Sequence, residues 1–359
     1  MNPTASYRNT ETGSRKPPIA IHNSSRGFHP RWIAHCEREG IPYRLVDCHA
    51  SDIIEQVKAC CALMWHHGQS DPKDVLIARP ILSALEHAGV KVFPDFRTAW
   101  HFDDKVAQKY LFEALDIPAV PAQVFVDKEQ ALTWVDQAEF PKVFKLRRGA
   151  GSAGVRLVRN RSDARRLVRR AFGRGFPLYD PWASLKERWY KVRMGNMPTC
   201  EIGKGLARFL YPPRYSKILG RERGDVYFQD FLAGNDCDIR VIVIGERAFA
   251  IRRLVRPGDF RASGSGRITY RREDLDERCV PMAFETAAKL GGDCVALDFV
   301  FDQEGDPKIL EVSYGFIKEV YDHCVGYWSS DLTWNPVSFD PQCWIIEAVL
   351  KTSQSRFNL

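Results

Sequence analysis

Three glycines near the middle of the chain are the first residues whose type and spacing could do chemistry. Gly149, Gly151 and Gly154 form a G-x-G-x-x-G pattern, which lets bare backbone N–H groups approach phosphate oxygens. In dinucleotide-binding folds a helix follows these glycines, but here the apolar segment 155–158 (VRLV) predicts a strand. A strand, a glycine loop and a second strand form a hairpin flap over phosphates. The pattern therefore argues against a nicotinamide site.

The residues around this flap extend the predicted phosphate site. Lys145 lies four residues before Gly149 on the incoming strand, where its ammonium can reach a phosphate. The sequence lacks the G-K-[ST] that a P-loop needs. We therefore expect Lys145 and the flap, including Ser152, to contact the phosphates of a nucleotide.

Segment 295–316 predicts two apolar strands around a turn, and each strand carries one carboxylate among its apolar residues. If the turn is symmetric about Glu304 and Gly305, Asp298 lies directly opposite Glu311. Two facing carboxylates repel, and a bound Mg²⁺ would remove that cost. The sequence therefore predicts a magnesium site here, and the alternative is a solvated sheet face that carries two unrelated acids.

The same register assigns the other residues of this hairpin to its two faces. Ser313 would lie opposite Ala296 and share a face with the two acids. An odd-length turn would shift this pairing by one residue. The residues expected on the opposite, core-facing side are Leu297, Phe299, Phe301, Leu310 and Val312.

A second hairpin is predicted in segment 237–255, with its turn at 245–246. The same counting places Asp238 opposite Arg253 and Arg240 opposite Ile251, so both arginines share a face with Asp238. Taken alone, this hairpin predicts a cross-strand salt bridge.

The spacing of apolar residues predicts the strands and helices that position these side chains. Residues 19–100 alternate short apolar segments with helical ones, which is typical of a small parallel α/β domain. A further helix from Asp104 and strands on both sides of the glycines follow. Segment 176–224 holds several prolines, and we expect an irregular linker or insertion there.

Composition limits the partners. The net charge of +7 suits an anionic ligand, and much of it lies in segment 159–174, whose apolar residues recur at helical spacing. We expect these arginines to form a solvated helix face; the alternative is contact with RNA or an acidic substrate. No apolar run approaches the roughly 20 residues that span a bilayer. We expect a cytoplasmic protein without a membrane partner, in which the neighbouring His66 and His67 bind no metal.

The order and spacing of these motifs resemble the ATP-grasp enzymes, within them the group similar to the ribosomal-protein glutamate ligase (RimK-like). The resemblance spans about Asp104 to Phe316 and rests on DK (104–105), VFKL (143–146), YFQDFL (227–232) and the two hairpins. It implies ATP as a cofactor. The nucleotide-contacting residues that it implies are Lys105, Lys145, Gly149, Gly151, Ser152, Gly154, Gln229, Asp230, Phe231 and Asp238.

The resemblance also implies a metal site and catalytic arginines. Arg253 matches the arginine at the γ-phosphate, and Arg261 matches a further arginine. Asp298, Glu311 and Ser313 match the ligands of Mg²⁺.

Three positions depart from the family's pattern. Ser313 and Ser263 stand where the family usually has Asn, and Asp230 stands where it usually has Glu. A hydroxyl can ligate Mg²⁺, so we expect activity to survive these changes.

The fold implied is mixed α/β and α+β, in which a small parallel α/β domain precedes a two-subdomain ATP-grasp fold. We divide the chain as follows: tail 1–18, N-terminal α/β domain 19–100, ATP-grasp subdomain 1 with the glycine flap 101–175, linker or insertion 176–224, ATP-grasp subdomain 2 with the Mg-ATP site 225–320, and C-terminal extension 321–359. We expect the aromatic-rich start of this extension to pack against the fold rather than close the acceptor pocket.

The function that the resemblance implies is ATP-dependent carboxylate–amine ligation through an acyl phosphate. The partners would be a small-molecule, sugar-acid or peptide carboxylate and an amine donor, with no nucleic acid, and a homo-oligomer is compatible with the sequence. Two alternatives stay open: an ATP-grasp phosphotransferase acting on a hydroxyl, and a catalytically weak nucleotide-binding protein.

Overall fold

A four-stranded parallel sheet forms the first part of the chain, as predicted. The computed structural model describes residues 17–69, 71–148, 154–193, 197–256 and 258–357. The first sheet has the strand order β2-β1-β3-β4. Its strands are β1 (Ile19–His22), β2 (Tyr43–Val46), β3 (Ala62–Met64) and β4 (Lys91–Phe93). The helices of this part are α1 (His29–Glu39), α2 (Ile53–Val57), α3 (Pro72–His87) and α4 (Phe96–Ala99).

The boundaries of these helices follow from local chemistry. α1 ends at Gly40, whose φ of 63° is the left-handed conformation that glycine adopts without strain. α3 begins after Asp71, whose carboxylate accepts a hydrogen bond from the backbone N–H of Lys73.

A second sheet carries the glycine flap. Its strand order is β5-β10-β6-β7, and β6 and β7 form the predicted antiparallel hairpin. Gly149, Gly151 and Ser152 of the flap lie outside the described residues. The strands are β5 (Ala122–Phe125), β6 (Lys142–Lys145), β7 (Val155–Val158) and β10 (Val226–Asp230), and the neighbouring helices are α5 (Lys105–Ala114), α6 (Lys128–Gln137) and α7 (Arg161–Ala171).

The arginine-rich helix α7 packs as the sequence predicts. Its buried residues are Ala164, Leu167, Val168 and Ala171. They pack with Phe144 and Phe228 of the second sheet in one apolar cluster. The helix and its buried stripe are therefore confirmed.

Segment 176–224 is helical, so the prediction of an irregular section was wrong. It contains α8 (Pro181–Arg193), α9 (Cys200–Leu210) and α10 (Arg214–Leu219), between the short paired strands β8 (Phe176–Pro177) and β9 (Arg221–Glu222). Apart from Pro177 in β8, the prolines that suggested irregularity lie at helix starts and between helices, where the missing N–H costs no hydrogen bond. Pro181, for example, is the first residue of α8.

A third, mostly antiparallel sheet forms the other wall of the fold. Its main path is β15-β14-β11-β12-β16-β17, and β13 pairs with β12. The strands are β11 (Cys237–Ile244), β12 (Arg247–Leu254), β13 (Ile268–Thr269), β14 (Cys294–Phe301), β15 (Pro307–Ser313), β16 (Tyr327–Ser329) and β17 (Trp334–Asn335). The helices are α11 (Cys279–Leu290), α12 (Lys318–Tyr321) and α13 (Pro341–Phe357).

The register of both predicted hairpins is confirmed. Asp298 pairs with Glu311 and Ala296 with Ser313. In the second hairpin Asp238 pairs with Arg253 and Arg240 with Ile251.

The first hairpin has the predicted register but not the predicted turn. Phe301 pairs with Pro307, so the turn between them has an odd length and would by itself shift the acids by one residue. A β-bulge between the Asp298 and Phe299 pairs restores the register. Leu310 lies at this bulge and lines the cavity described below, whereas Ile309 is fully buried in the core. The assignment of Leu310 to the core face was therefore wrong.

The C-terminal segment joins the N-terminal sheet to the third sheet. β16 and β17 extend the third sheet, and the rings of Trp328 and Trp334 pack at a tilt with their centroids 4.5 Å apart. α13 contacts α1, β3, β4 and β11. Trp344 and Ile345 of α13 belong to one apolar core with Trp32 of the N-terminal domain. The described part of this segment is thus part of the packed core.

None of the helices in the described part of the chain is long and apolar enough to cross a membrane.

The buried histidine His67 predicts an acid-sensitive fold. Burial and the nearby Arg79 guanidinium lower the pKa of His67 from 6.5 to about 3. Between these pH values the unfolded chain binds a proton that the folded chain excludes, so stability is present above pH 6.5 and is lost as the pH falls. We expect the variant His67→Phe to reduce the slope of unfolding free energy against pH by about 1.4 kcal/mol per pH unit.

Urea unfolding at a series of acidic pH values measures this slope. The matched control is His87→Phe, because His87 is exposed on α3. An unchanged slope in the His67 variant would contradict the assignment.

Candidate active site

A cavity of about 1640 Å³ lies where the three sheets and the helical insertion meet. Polar residues of β11, β12, β14 and β15 line one side, and Lys145 of β6 lines another. The loops after β1 and β3 in the N-terminal domain complete the wall. Both predicted hairpins and the flap strands therefore contribute to one cavity.

The buried carboxylate of Asp298 is held by two arginines. Arg240 Nε lies 2.7 Å from Asp298 Oδ1, and Arg253 Nη2 lies 2.8 Å from Oδ2. Arg253 also donates two hydrogen bonds to Asp238, at 2.6 and 2.8 Å. Burial alone would raise the pKa of Asp298, but the two guanidiniums outweigh burial and hold its pKa below the usual range. Asp298 is therefore a fixed negative charge.

Two lysines bring positive charge to the same cavity. Lys105 Nζ lies 3.5 Å from Glu311 Oε1, and its side chain is only 5% exposed. Lys145 is 7% exposed, and its ammonium group has no hydrogen bond or ion pair with another side chain among the described residues. Burial and Lys105 lower the pKa of Lys145 to about 8, against the opposing effect of Glu311. A buried ammonium in this state has the chemistry to bind an anionic group.

The residues around Gln229 can hold a flat, mostly apolar ring. Gln229 is 2% exposed, and its Oε1 accepts no hydrogen bond within the described part of the chain. Val120, Val143 and Leu310 line the cavity beside it. The bulge that displaces Leu310 from the core therefore supplies apolar surface to the cavity.

The two residues that follow Gln229 in the chain also line the cavity, but their contacts differ from those of Gln229. Asp230 pairs with Lys142 at 2.7 Å, and Phe231 meets the edge of the Phe260 ring at 5.9 Å between centroids. Both line the cavity. The sequence grouped Asp230 and Phe231 with Gln229, and the structure brings all three to one edge.

The predicted metal ligands come together only in part. Asp298 and Glu311 are cross-strand partners on the cavity side, and within the described residues no well-directed hydrogen bond reaches the buried Asp298 Oδ1. The hydroxyl of Ser313 accepts from the N–H of Gly315 at 3.2 Å and donates to its carbonyl at 3.3 Å. In the described ranges no group of three His, Cys, Asp or Glu side chains could hold a metal ion. The two carboxylates fit a cation that takes its other ligands from phosphates and water.

Arg261 and Gly154 lie at the margin of the cavity. The guanidinium of Arg261 pairs with Asp259 at 2.7 Å. Ser263 lies on the same loop and also lines the cavity. Gly154 has φ of 75°, and a Cβ there would lie 2.7 Å from Leu146 Cδ1, so the base of the flap requires glycine.

Two residues of the site were not predicted from sequence. Arg240 was placed on the correct face but was given no role. Asp103 is 8% exposed, has φ of 52° and lines the cavity, and burial together with the Glu311 carboxylate raises its pKa to about 6. The only signal for Asp103 was the repeated acid in DDK (103–105).

Histidines line the part of the cavity formed by the N-terminal domain. His49 Nε2 lies 2.8 Å from Asp74 Oδ1, and the rings of His22 and His49 are 5.1 Å apart. His66 Nδ1 accepts a hydrogen bond from the N–H of Phe28 at 3.0 Å. These side chains add hydrogen-bonding groups to this end of the cavity.

Comparison with known proteins identifies the fold. Residues 215–322 match the family model of the RimK-like ATP-grasp domain. No curated protein matches the chain significantly. The resemblance expected from the sequence is thus confirmed for the domain and the fold.

Three solved structures illustrate this similarity. The D-alanine–D-alanine ligase from Bacillus anthracis complexed with ATP is 13% identical, with a TM-score of 0.56, 96% of this chain covered and 100% of that chain. A RimK domain ATP-grasp protein from Sphaerobacter thermophilus is 15% identical, with a TM-score of 0.54 and coverage of 92% and 99%. The biotin carboxylase domain of the 2-oxoglutarate carboxylase from Hydrogenobacter thermophilus, complexed with MgADP, ADP and bicarbonate, is 13% identical, with a TM-score of 0.57 and coverage of 93% and 69%. The chain has an ATP-grasp fold.

The ion pairs at Asp298 generate a stability prediction. We expect Arg240→Met to lower the unfolding free energy by about 3–5 kcal/mol, because it removes one of two cations from a buried carboxylate. The matched control is Arg252→Met on the same hairpin, whose partner Asp236 is largely exposed. That change should cost no more than about 1 kcal/mol. Urea unfolding measures both values, and equal costs would contradict the role of Arg240.

Proposed function

We propose that this chain, which folds as an ATP-grasp protein, is an ATP-dependent ligase that joins a carboxylate to an amine. The observation that carries the proposal is the Asp298–Glu311 pair, which faces the same cavity as the buried Lys105 and Lys145. Carboxylates that face lysines across a cavity suit a magnesium–triphosphate complex.

Different groups of residues would bind the different parts of ATP. Lys105, Lys145 and the flap would bind the phosphates, and the pocket at Gln229, Asp230 and Phe231 would take the adenine. Asp238 would lie near the ribose or phosphates. Support comes from the buried Gln229 Oε1, which accepts no hydrogen bond within the described residues, and from the apolar wall beside it.

Asp298 and Glu311 would hold Mg²⁺, with Ser313 as a further ligand. When bound, the metal supplies positive charge that neutralises the phosphate oxygens. The fit rests on Asp298 Oδ1, which has lone-pair capacity left, and on the pairing of the two strands.

The chemical steps need no protein nucleophile. A carboxylate oxygen of the substrate attacks the γ-phosphorus, so a carbon–oxygen–phosphorus link forms and ADP leaves. The amine then attacks the acyl carbon, phosphate leaves, the nitrogen loses a proton and an amide results. Arg253 would stabilise the charge on the transferring phosphoryl group, with Arg261 as a further arginine.

The acceptor would bind between this centre and the N-terminal domain. The hydrogen-bonding groups at that end, His22, His49 and Asp74, suit a polar small molecule, a sugar acid or a peptide. No nucleic-acid partner is proposed, and a homo-oligomer is compatible with the proposal.

A second candidate, the catalytically weak nucleotide-binding protein, is favoured by one observation. The Ser313 hydroxyl already hydrogen-bonds to Gly315, whereas a metal ligand would have to point at the cation. The position of Ser313 therefore decides between full and weakened metal binding.

The first test of the ligase is calorimetric titration with a non-hydrolysable ATP analogue, with and without Mg²⁺. We expect metal-dependent binding that weakens by about tenfold or more in Glu311→Gln, because the loss of one charged ligand is a loss of at least 1.5 kcal/mol. The matched control is Glu304→Gln, since Glu304 is exposed in the turn of the same hairpin. Absence of binding by the wild-type protein would overturn the proposal.

Trapping with hydroxylamine separates ligase from phosphotransferase once turnover is found. An acyl phosphate yields a hydroxamate, whereas phosphoryl transfer to a hydroxyl yields a phosphate ester and no hydroxamate. Metal-independent nucleotide binding would instead support the second candidate.

The role of Ser313 yields a separate prediction. We expect Ser313→Asn to tighten Mg²⁺-dependent binding of the same analogue by about tenfold, because an amide oxygen adds a contact of about 1.5 kcal/mol to the charged metal. The control is Ser162→Asn, at an exposed position on α7. Unchanged affinity in Ser313→Asn would show that the position does not ligate the metal.

A further inference from the structure

The helical insertion carries an exposed apolar surface that the ATP site does not use. The first turn of α8 and the last turn of α9 meet where the rings of Trp182 and Phe209 lie 4.9 Å apart, edge to face. Gly205 of α9 lies against Leu185 and Arg188 of α8, and a Cβ there would lie 2.9 Å from Leu185. The two helices thus pack through Leu185 and Gly205, and surface beside this contact remains uncovered on both helices.

These uncovered faces hold large apolar side chains. Trp182 and Trp189 are seven residues apart on α8, so they lie on one face. We call the following set the apolar face, with exposed fractions in parentheses: Trp182 (66%), Trp189 (55%), Leu206 (57%), Phe209 (37%), Leu210 (80%) and Tyr211 (70%). Leu206, Phe209 and Leu210 have the spacing of a single helix face, and the ring contact of Phe209 with Trp182 joins this face to α8. A patch of this kind marks an interaction site rather than ordinary surface.

The charge of the same segment indicates the kind of partner. Residues 178–224 contain ten Lys and Arg against four Asp and Glu, a net charge of +6, whereas the whole chain has +7. Arg193 lies over the Trp189 ring at 5.6 Å, and Arg208 bonds to the carbonyl of Tyr211 within the same two helices. The apolar face is therefore bordered by cations, so its partner must be both apolar and anionic.

We propose that the apolar face docks on the surface of a bilayer that contains anionic lipids. Tryptophan and tyrosine rings favour the headgroup level, leucine and phenylalanine reach the acyl chains, and lysine and arginine pair with anionic headgroups. A second copy of this chain would bring two positive surfaces together, so it fits less well. The expectation of no membrane partner rested only on the lack of a segment long enough to span a bilayer. The helices α8 and α9, of 13 and 11 residues, are too short to span a bilayer but can lie along its surface.

Docking at this face would set the mouth of the cavity beside the lipid headgroups. Ser184, Lys186 and Tyr190 of α8 line the cavity, and α10 contacts α3 of the N-terminal domain. A bilayer-bound chain would thus present its cavity to molecules at the membrane surface. Docking itself does not depend on the ligase reaction.

Co-sedimentation of the full chain with lipid vesicles, in the absence of nucleotide, tests the proposal. We expect binding to phosphatidylcholine vesicles that contain phosphatidylglycerol, with a blue shift of tryptophan fluorescence, and little binding to pure phosphatidylcholine. The double variant Trp182→Ser/Leu210→Ser should weaken this partitioning by at least about tenfold, because each large side chain loses its burial. The matched control is Leu76→Ser/Val126→Ser, which replaces two equally exposed apolar residues elsewhere (57% and 76%).

Four outcomes would overturn the proposal. They are absence of binding to the anionic vesicles, equal loss in both double variants, retention of binding in Trp182→Ser/Leu210→Ser, and self-association in solution that this variant alone abolishes. The last outcome would assign the face to a second copy of the chain. Titration of the same variants with the ATP analogue distinguishes failure of membrane docking from failure of the proposed ligase. We expect the variants to bind the analogue like the wild-type protein, because the apolar face lies outside the residues proposed to bind nucleotide.

Discussion

The centre of this molecule depends on keeping the buried carboxylate of Asp298 ionised. Arg240 and Arg253 reach it from the two strands of one hairpin, so the charge of a residue on β14 is balanced by residues on β11 and β12. Because an unpaired buried charge is expensive, the three strands must keep this register for the fold to be stable. Because Glu311 is the cross-strand partner of Asp298, the same register also fixes the position at which Glu311 faces the cavity.

Much of this centre could be predicted because strand pairing follows simple counting. A turn of defined position and period-two alternation were enough to pair Asp298 with Glu311 and Asp238 with Arg253. The count succeeded for Asp298 although the turn was one residue shorter than assumed, because the bulge at Leu310 compensates. A bulge has no strong signature in a single sequence, so the position of Leu310 could not be predicted.

Other features depend on contacts between distant segments. Asp103 is affected by Glu311 and Arg240, which are remote in sequence, so the repeated acid in DDK (103–105) could not by itself reveal its role. The helices of segment 176–224 were missed because prolines were taken as breaks, although proline is tolerated at a helix start. The contribution of α13 to the N-terminal core is also invisible until both partners are in place.

The apolar cores of the fold are divided between two groups of elements. Trp32, Phe249 and Ile345 belong to a single apolar cluster, so the N-terminal sheet, the third sheet and α13 share one core. The second sheet packs around a separate cluster that includes Phe144 and Phe228. The cavity therefore lies between elements that have separate cores. Segment 118–121 is one of the connections between them, because it bonds to Ile309 of the third sheet and then leads directly into β5.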